Sequence, residues 1–297
     1  MAVKTENMRK VSRISSARTR QKFVNWGLNI LTWVMIFIIL IPIIFMVVGS
    51  FKSRGEFTSP ISPIFPEVWH IENYATMWNQ IKFGDLFANS IVVTGFTTLI
   101  ATFFAALGGY ALARFRFPGA DTFGLMVLGT QLIPGTLFFI PLYLMFLWIK
   151  NNLGIPMVGS NFGAIILYVG FFTPISLWIL RGFFASIPPD LEEQAMVDGT
   201  TRFGAFWRIS LPLAGPGITS TAIYIFMTAW NELFFGYTLG VVTVPVGIRQ
   251  FVFGASGTQL RYDLMAAASV VITIPLAIMF LVLQKQFIQG LTAGAVK

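Results

Sequence analysis

Four carboxylates fall within one short segment, Asp190, Glu192, Glu193 and Asp198, with no lysine or arginine between them. Grouped at helical spacing, such acids recognise donors on a partner or the positive end of their own helix. A fifth acid, Glu232, is the only one inside an apolar stretch, directly after Trp230 and Asn231. A carboxylate at that depth is costly unless it faces a cavity or a partner. The chain has no cysteine, which excludes disulfides, iron–sulfur clusters, zinc–thiolate sites and a cysteine nucleophile. It has one histidine, His70, and a lone imidazole is most simply a surface residue. Neither an H-E-x-x-H pair nor a G-x-x-x-x-G-K-[ST] loop occurs, so no catalytic residue, no metal ligand and no ATP site is predicted.

The elements that must position these groups follow from composition. Of 297 residues, 56% are hydrophobic and 11% charged, where a soluble chain carries roughly a quarter charged. The mean hydropathy is +0.75. Six runs without Asp, Glu, Lys or Arg are long enough to cross a bilayer: 23–51, 86–113, 122–149, 151–180, 209–231 and 264–284. None alternates in polarity, so helices rather than barrel strands are expected. The first run exceeds a secretory h-region and reads as a retained anchor. The net charge of +8 reads as membrane topology rather than as nucleic-acid binding. With the N-terminus inside, only Lys52, Arg54, Lys82, Lys150, Arg249 and Arg261 of the twenty Lys and Arg lie outside. The expectation is an all-α, six-span polytopic membrane protein with both termini cytoplasmic. Its parts are a basic tail (1–22) on anionic lipid, an anchor (23–51), an outer loop (52–85), a five-span core (86–288) and a C-terminal tail (289–297).

The acids lie between spans 4 and 5. Ser186, Pro188-Pro189 and the carboxylates read as a helix start, with Ser186 as the capping side chain, and Gly199 as its stop. Thr200 or Thr201 then caps a second short helix, in which Phe203, Phe206, Trp207 and Ile209 gather at helical spacing before Pro212 opens the fifth span. The product is a helix–Gly–helix elbow outside the membrane. Its apolar face has three possible uses: headgroups, a groove on a protein partner, or a plain surface loop. The acids weigh against headgroups, because interfacial helices are rich in Lys and Arg.

The elbow resembles the cytoplasmic loop of integral membrane subunits of bacterial ABC importers. That loop reads Glu-Ala-Ala, three residues, Gly, nine residues, Ile, one residue, Leu-Pro. Glu193, Ala195, Gly199, Ile209, Leu211 and Pro212 stand at those spacings, with Gln194 replacing the first Ala. The Tyr110-Ala-Leu-Ala-Arg114-Phe-Arg116-Phe-Pro-Gly119 turn, the Trp230-Asn231-Glu232-Leu233 stretch and the C-terminal Gly-Leu-Thr-Ala-Gly-Ala-Val-Lys resemble, more narrowly, the MalG-type permeases of carbohydrate importers.

This resemblance implies a permease in the bacterial inner membrane that pairs with a second, homologous permease. It further implies two ATPase subunits, which hold ATP and Mg, and an extracytoplasmic sugar-binding protein; this chain would bind no cofactor, and no nucleic acid is expected. The implied coupling residues, within loop 183–212, are Glu192, Glu193, Ala195, Asp198, Gly199, Phe203, Ile209, Leu211 and Pro212. The helix over 190–198 would dock on the ATPase, while Phe203, Phe206 and Trp207 would brace the elbow against the spans. Trp230, Asn231 and Glu232 would line the translocation path, with Glu232 accepting from sugar hydroxyls; the other reading makes Glu232 a buried structural carboxylate. Pro134, Pro141, Pro174 and Pro275 predict kinks, useful in a gate but common in membrane helices. The outer loop is read either as ordered short helices or as an aromatic belt, and 236–263 as a second outer loop. A self-sufficient secondary transporter predicts inverted repeats, which are absent from the sequence; a permease for a non-sugar solute remains the nearer alternative.

Overall fold

In hydrocarbon every backbone N–H must find its partner within its own segment, and the charge-free runs accordingly fold as long helices. The structure, a computed structural model, describes residues 2–253 and 260–293. Of the resembling C-terminal stretch, Gly294, Ala295, Val296 and Lys297 therefore lie outside the described residues. Among the described residues every regular element is helical. Helices long and apolar enough to cross a membrane span Val24–Gly49, Phe83–Arg114, Gly135–Leu153, Asn161–Ser186 and Tyr262–Gln284. A sixth crossing is bent by 73° between Arg202–Leu213 and Gly215–Trp230.

The first of these is the apolar part of α1 (Ala2–Gly49), which packs against α14 (Tyr262–Ala293). From Val24 to Phe45 its side chains other than Pro42 and the small or polar ones are exposed apolar groups, a surface fit for lipid or for another chain. Short helices α2 (Arg54–Thr58) and α3 (Glu72–Gln80) then order the first connecting loop. Ser53 and Glu56 form a reciprocal capping box at α2. The Glu56 carboxylate also accepts from Glu67 N–H at 2.8 Å, and that bond holds it below the usual carboxylate range. Buried Asn73 ties α3 to the carbonyls of Ser50 and Lys52. Of the two readings of this loop, the ordered one is observed, with His70 hydrogen-bonded to Glu72 at 2.5 Å.

The centre of the bundle is the crossing of α4 (Phe83–Arg114) and α7 (Asn161–Ser186). Their backbones approach so closely at Gly109 that a Cβ there would lie 2.9 Å from Arg181 N and 3.0 Å from Leu177 O. The helix α11 (Gly215–Trp230) packs across both.

The third run departs from expectation. Instead of one kinked helix it is α5 (Ala120–Gly129) and α6 (Phe139–Leu153), separated by two 3₁₀ turns around Pro134. Pro134 is extended at ψ 125°, so the helix breaks there rather than bending. Pro141 falls in the first turn of α6, where its missing N–H costs nothing, and makes no kink. Pro174 and Pro275 do lie inside helices, as does Pro42. The second connecting loop is folded onto the bundle by α12 (Phe234–Thr238) and α13 (Val244–Phe253), with Val244 and Phe251 buried against Phe83, Leu86 and Leu264.

Candidate functional site

The elbow is α8 (Asp190–Val197), α9 (Arg202–Ala205), a π-helical segment over Phe206–Ser210 and α10 (Leu211–Leu213). Pro189 stands at the N-cap of α8 with Asp190, Glu192 and Glu193 in the first turn, where the helix dipole favours carboxylates. Ser186 does not cap α8: its hydroxyl donates to Phe183 O at the end of α7. Proline occupies the cap position and leaves Ser186 one turn too early.

Gly199 ends α8 at φ +90°, in the left-handed region. Its N–H donates to Met196 O and Thr200 N–H to Ala195 O, the paired bonds of a Schellman stop. Of the two candidate threonines it is Thr201 that caps α9, accepting from Gly204 N–H at 3.1 Å.

The acids divide by surroundings. Glu193 and Asp198 are exposed, as are Val197 and Gln194. Glu192 is 6% exposed and turns inward. One oxygen accepts from Arg114 Nε at 2.8 Å and Ser210 Oγ at 2.5 Å, the other from Tyr110 Oη at 2.9 Å. Arg114 also donates to Ile187 O at 2.8 Å. Burial pushes the Glu192 carboxyl up, but the bonds from Ser210, Arg114 and Tyr110 outweigh it and hold the group below the usual range. Glu192, expected as a partner contact, is therefore an internal one.

The aromatic residues divide likewise. Phe206 is buried, its ring 4.6 Å from that of Tyr110 and 6.1 Å from that of Phe184. Leu211 and Ala214 complete that cluster, and Ile209 is half-buried. Phe203, expected to brace the elbow, is 67% exposed and meets only Trp207 among aromatic rings. Trp207 is exposed on one side and lines an apolar groove with Leu99, Phe103, Ile218 and Phe226. Of the three, Phe206 is buried against the spans, Trp207 lies partly against them and Phe203 is turned outward. Pro212 and Ala195 occupy an exposed and a half-buried position on the elbow surface.

At the other end of α11 the three predicted path residues divide, Trp230 being buried while Asn231 and Glu232 line one groove. Trp230 is 1% exposed, stacked on Phe226 at 5.7 Å, with Nε1–H directed at Ile272 O. It cannot offer a stacking face. Glu232 accepts from Tyr168 Oη at 2.6 Å, Phe235 N–H at 2.9 Å and Gly236 N–H at 3.0 Å. The carboxylate therefore caps α12 and ties it to α7. Asn231 is exposed, donating to Met227 O. With Glu232 it lines an open groove of about 620 Å³ beside Tyr224, Met227 and Phe234.

Sequence reasoning missed Tyr110, Arg114 and Ser210 as site residues. Their signal was the i, i+4 spacing of Tyr110 and Arg114, which sets a hydroxyl and a guanidinium on one face at the end of α4. Among the described residues no cluster of three or more His, Asp or Glu could hold a metal ion.

The family described as binding-protein-dependent transport system inner membrane component matches residues 105–293. The chain is similar to the trehalose/maltose transport system permease protein MalG of Thermococcus litoralis, 36% identical over 89% of this chain and 93% of that one. It is also similar to the diacetylchitobiose uptake system permease protein DasC of Streptomyces coelicolor, 34% identical over 90% and 95%. Among solved structures it shares its fold with a bacterial ABC transporter involved in the import of the polysaccharide alginate. There the TM-score is 0.73 and the identity 23%, over 90% of this chain and 97% of that one.

Proposed function

The chain belongs to the family of binding-protein-dependent transport system inner membrane components, and from that premise we propose that it imports di- or oligosaccharides as the permease subunit of an ATP-binding-cassette importer. It is a multi-pass inner-membrane protein that forms half of the pore with a second, homologous permease. Two P-loop ATPase subunits, carrying ATP and Mg, supply the energy, because this chain has no phosphate-binding loop of its own. An external binding protein delivers the sugar. The names of the similar trehalose/maltose and diacetylchitobiose permeases support the cargo class.

The observation that carries this reading is the elbow. Its outward side presents Glu193, Val197, Asp198 and Phe203 around the Gly199 stop, while its inward side is fastened to α4 by Glu192 and packs on α7 through Phe206. A surface that is exposed and acidic outside and anchored inside suits a cytoplasmic dock for an ATPase groove, whose closure would rock the spans. The Lys and Arg bias supports the same orientation, with both termini inside.

The test is affinity purification of the chain from detergent-solubilised membranes, with mass spectrometry and an ATPase assay of the eluate. Recovery of a second permease and a P-loop ATPase, with ATP hydrolysis, is expected. Recovery of the chain alone, still moving solute in liposomes without ATP, would identify a secondary transporter instead.

A further inference from the structure

Glu192 joins segments that lie far apart in the chain. It stands on α8, yet its carboxylate holds Arg114 and Tyr110 at the end of α4 and Ser210 in the π-helical segment that leads into α11. Through Arg114 Nη2 the same network reaches Ile187 O, the residue that follows α7. One buried carboxylate therefore contacts the end of α4 and the π-helical segment, and reaches the residue after α7 only through Arg114. No other acid of the elbow does so: Asp190 and Glu193 on α8 and Asp198 at its C-cap are exposed. The Arg114–Glu192 pair has side-chain exposures of 10% and 8%, so removing one partner strands a charge away from water.

The π-helical segment is part of this arrangement. A π-bulge shifts the helix register locally and often marks a functional position. Here it brings Ser210 under the Glu192 carboxylate while Phe206, at its start, packs against Tyr110. Polar and aromatic contacts thus converge on the same turn of α4. The 73° bend into α11 comes after this segment, so the Glu192 network holds the chain on the elbow side of the bend.

We propose that Glu192 is a positioning residue that latches α8 and the π-helical segment to the end of α4, so that force applied to α8 moves the elbow and α4 as one body. This rests on the reading of the chain as an ATP-driven permease. Glu192 touches neither the ATPase nor the cargo; the exposed residues of α8 meet the partner, and the latch passes the displacement on. Without it, α8 would follow the ATPase while α4 lags.

The experiment uses the full complex, with companion permease, ATPase and binding protein, in proteoliposomes, and reads sugar taken up per ATP hydrolysed. For Glu192→Gln this ratio is expected to fall about tenfold, within the usual range of coupling free energies. Ser210→Ala and Tyr110→Phe, which delete one hydroxyl each and spare the ion pair, are expected to lower it by about fivefold, the equivalent of one hydrogen bond. They keep the test decisive if Glu192→Gln fails to assemble. Because the chain has no cysteine, a Glu192→Cys/Arg114→Cys double variant can be bridged by a short bis-thiosulfonate. Bridging should restore the ratio and reduction should abolish it again, a response that a residue needed only for folding would not give. An unchanged ratio in all single variants, or a bridged complex that stays uncoupled, would overturn the latch. A wild-type complex that takes up sugar without hydrolysing ATP would instead overturn the permease reading itself.

Discussion

Arg114 and Glu192 lie 78 positions apart in the chain and 2.8 Å apart in space, joining the end of α4 to the first turn of α8. The pair is buried, and Tyr110 and Ser210 complete the carboxylate's shell. A loop held only by its two ends would slide over the bundle; this one is fixed at its middle. The other acids, Asp190, Glu193 and Asp198, stay exposed.

Gly199 tests the geometry of the turn between α8 and α9. A Cβ at this position would meet nothing within 4 Å, so the demand is made by φ +90° alone. Gly199→Val should cost about 1–2 kcal/mol of local conformation, and Gly199→Asn distinctly less. Measured as ATP-driven uptake at equal complex levels, the Val variant should lose transport and the Asn variant retain most of it. Equal uptake by the two would show that the left-handed turn is not required.

Glu232 should behave as a structural group. Its oxygens receive Tyr168 Oη and the N–H groups of Phe235 and Gly236, so Glu232→Ala leaves three donors without their acceptor and should cost about 3 kcal/mol. Tyr168→Phe removes one bond and should cost about 1 kcal/mol. Thermal unfolding in detergent should rank the wild type above Tyr168→Phe and Tyr168→Phe above Glu232→Ala, with the preference among sugars unchanged. A change in sugar preference without a change in stability would return Glu232 to the translocation path.

The crossing of α4 and α7 depends on Gly109. A methyl group there would press on the backbone at Arg181 and Leu177, which cannot yield as a side-chain tip can. Gly109→Ala should destabilise the protein by about 1–3 kcal/mol. Gly95→Ala on the same helix meets nothing within 4 Å and should be near neutral. Equal melting of the two variants would contradict the close approach.

The latch should outlast mild acid. The folded Glu192 carboxyl lies below its ordinary value, so its contribution is complete above the unfolded value of about 4.3 and is lost only as pH falls through the lower folded one. Hydrogen exchange of the α8 amides should therefore keep its protection between about pH 7 and 5 and lose it only below the ordinary glutamate range. Protection that falls away between pH 6 and 5 would contradict a charged, hydrogen-bonded Glu192.

Much of this was legible in the sequence because it rests on single-residue signals. Charge-free runs located the spans, and a lone glycine after an acidic turn located the Schellman stop. What was not legible depends on tertiary placement. All four acids of the elbow look alike in sequence, and only the approach of Arg114 and Tyr110 singles out Glu192. Trp230 reads as a stacking face until Phe226 and Ile272 are seen to enclose it. The third run looked continuous because it has no charge, yet Gly129, Pro134 and Gly135 were enough to break it. Apolarity measures depth in the membrane, not helical continuity.

Transport by the assembled complex can be followed in proteoliposomes loaded with ATP and Mg, with labelled di- and oligosaccharides offered outside together with the binding protein. Accumulation against a gradient that requires both ATP and the binding protein is the predicted result. Equilibration of sugar without ATP, or ATP hydrolysis that never drives accumulation, would contradict it.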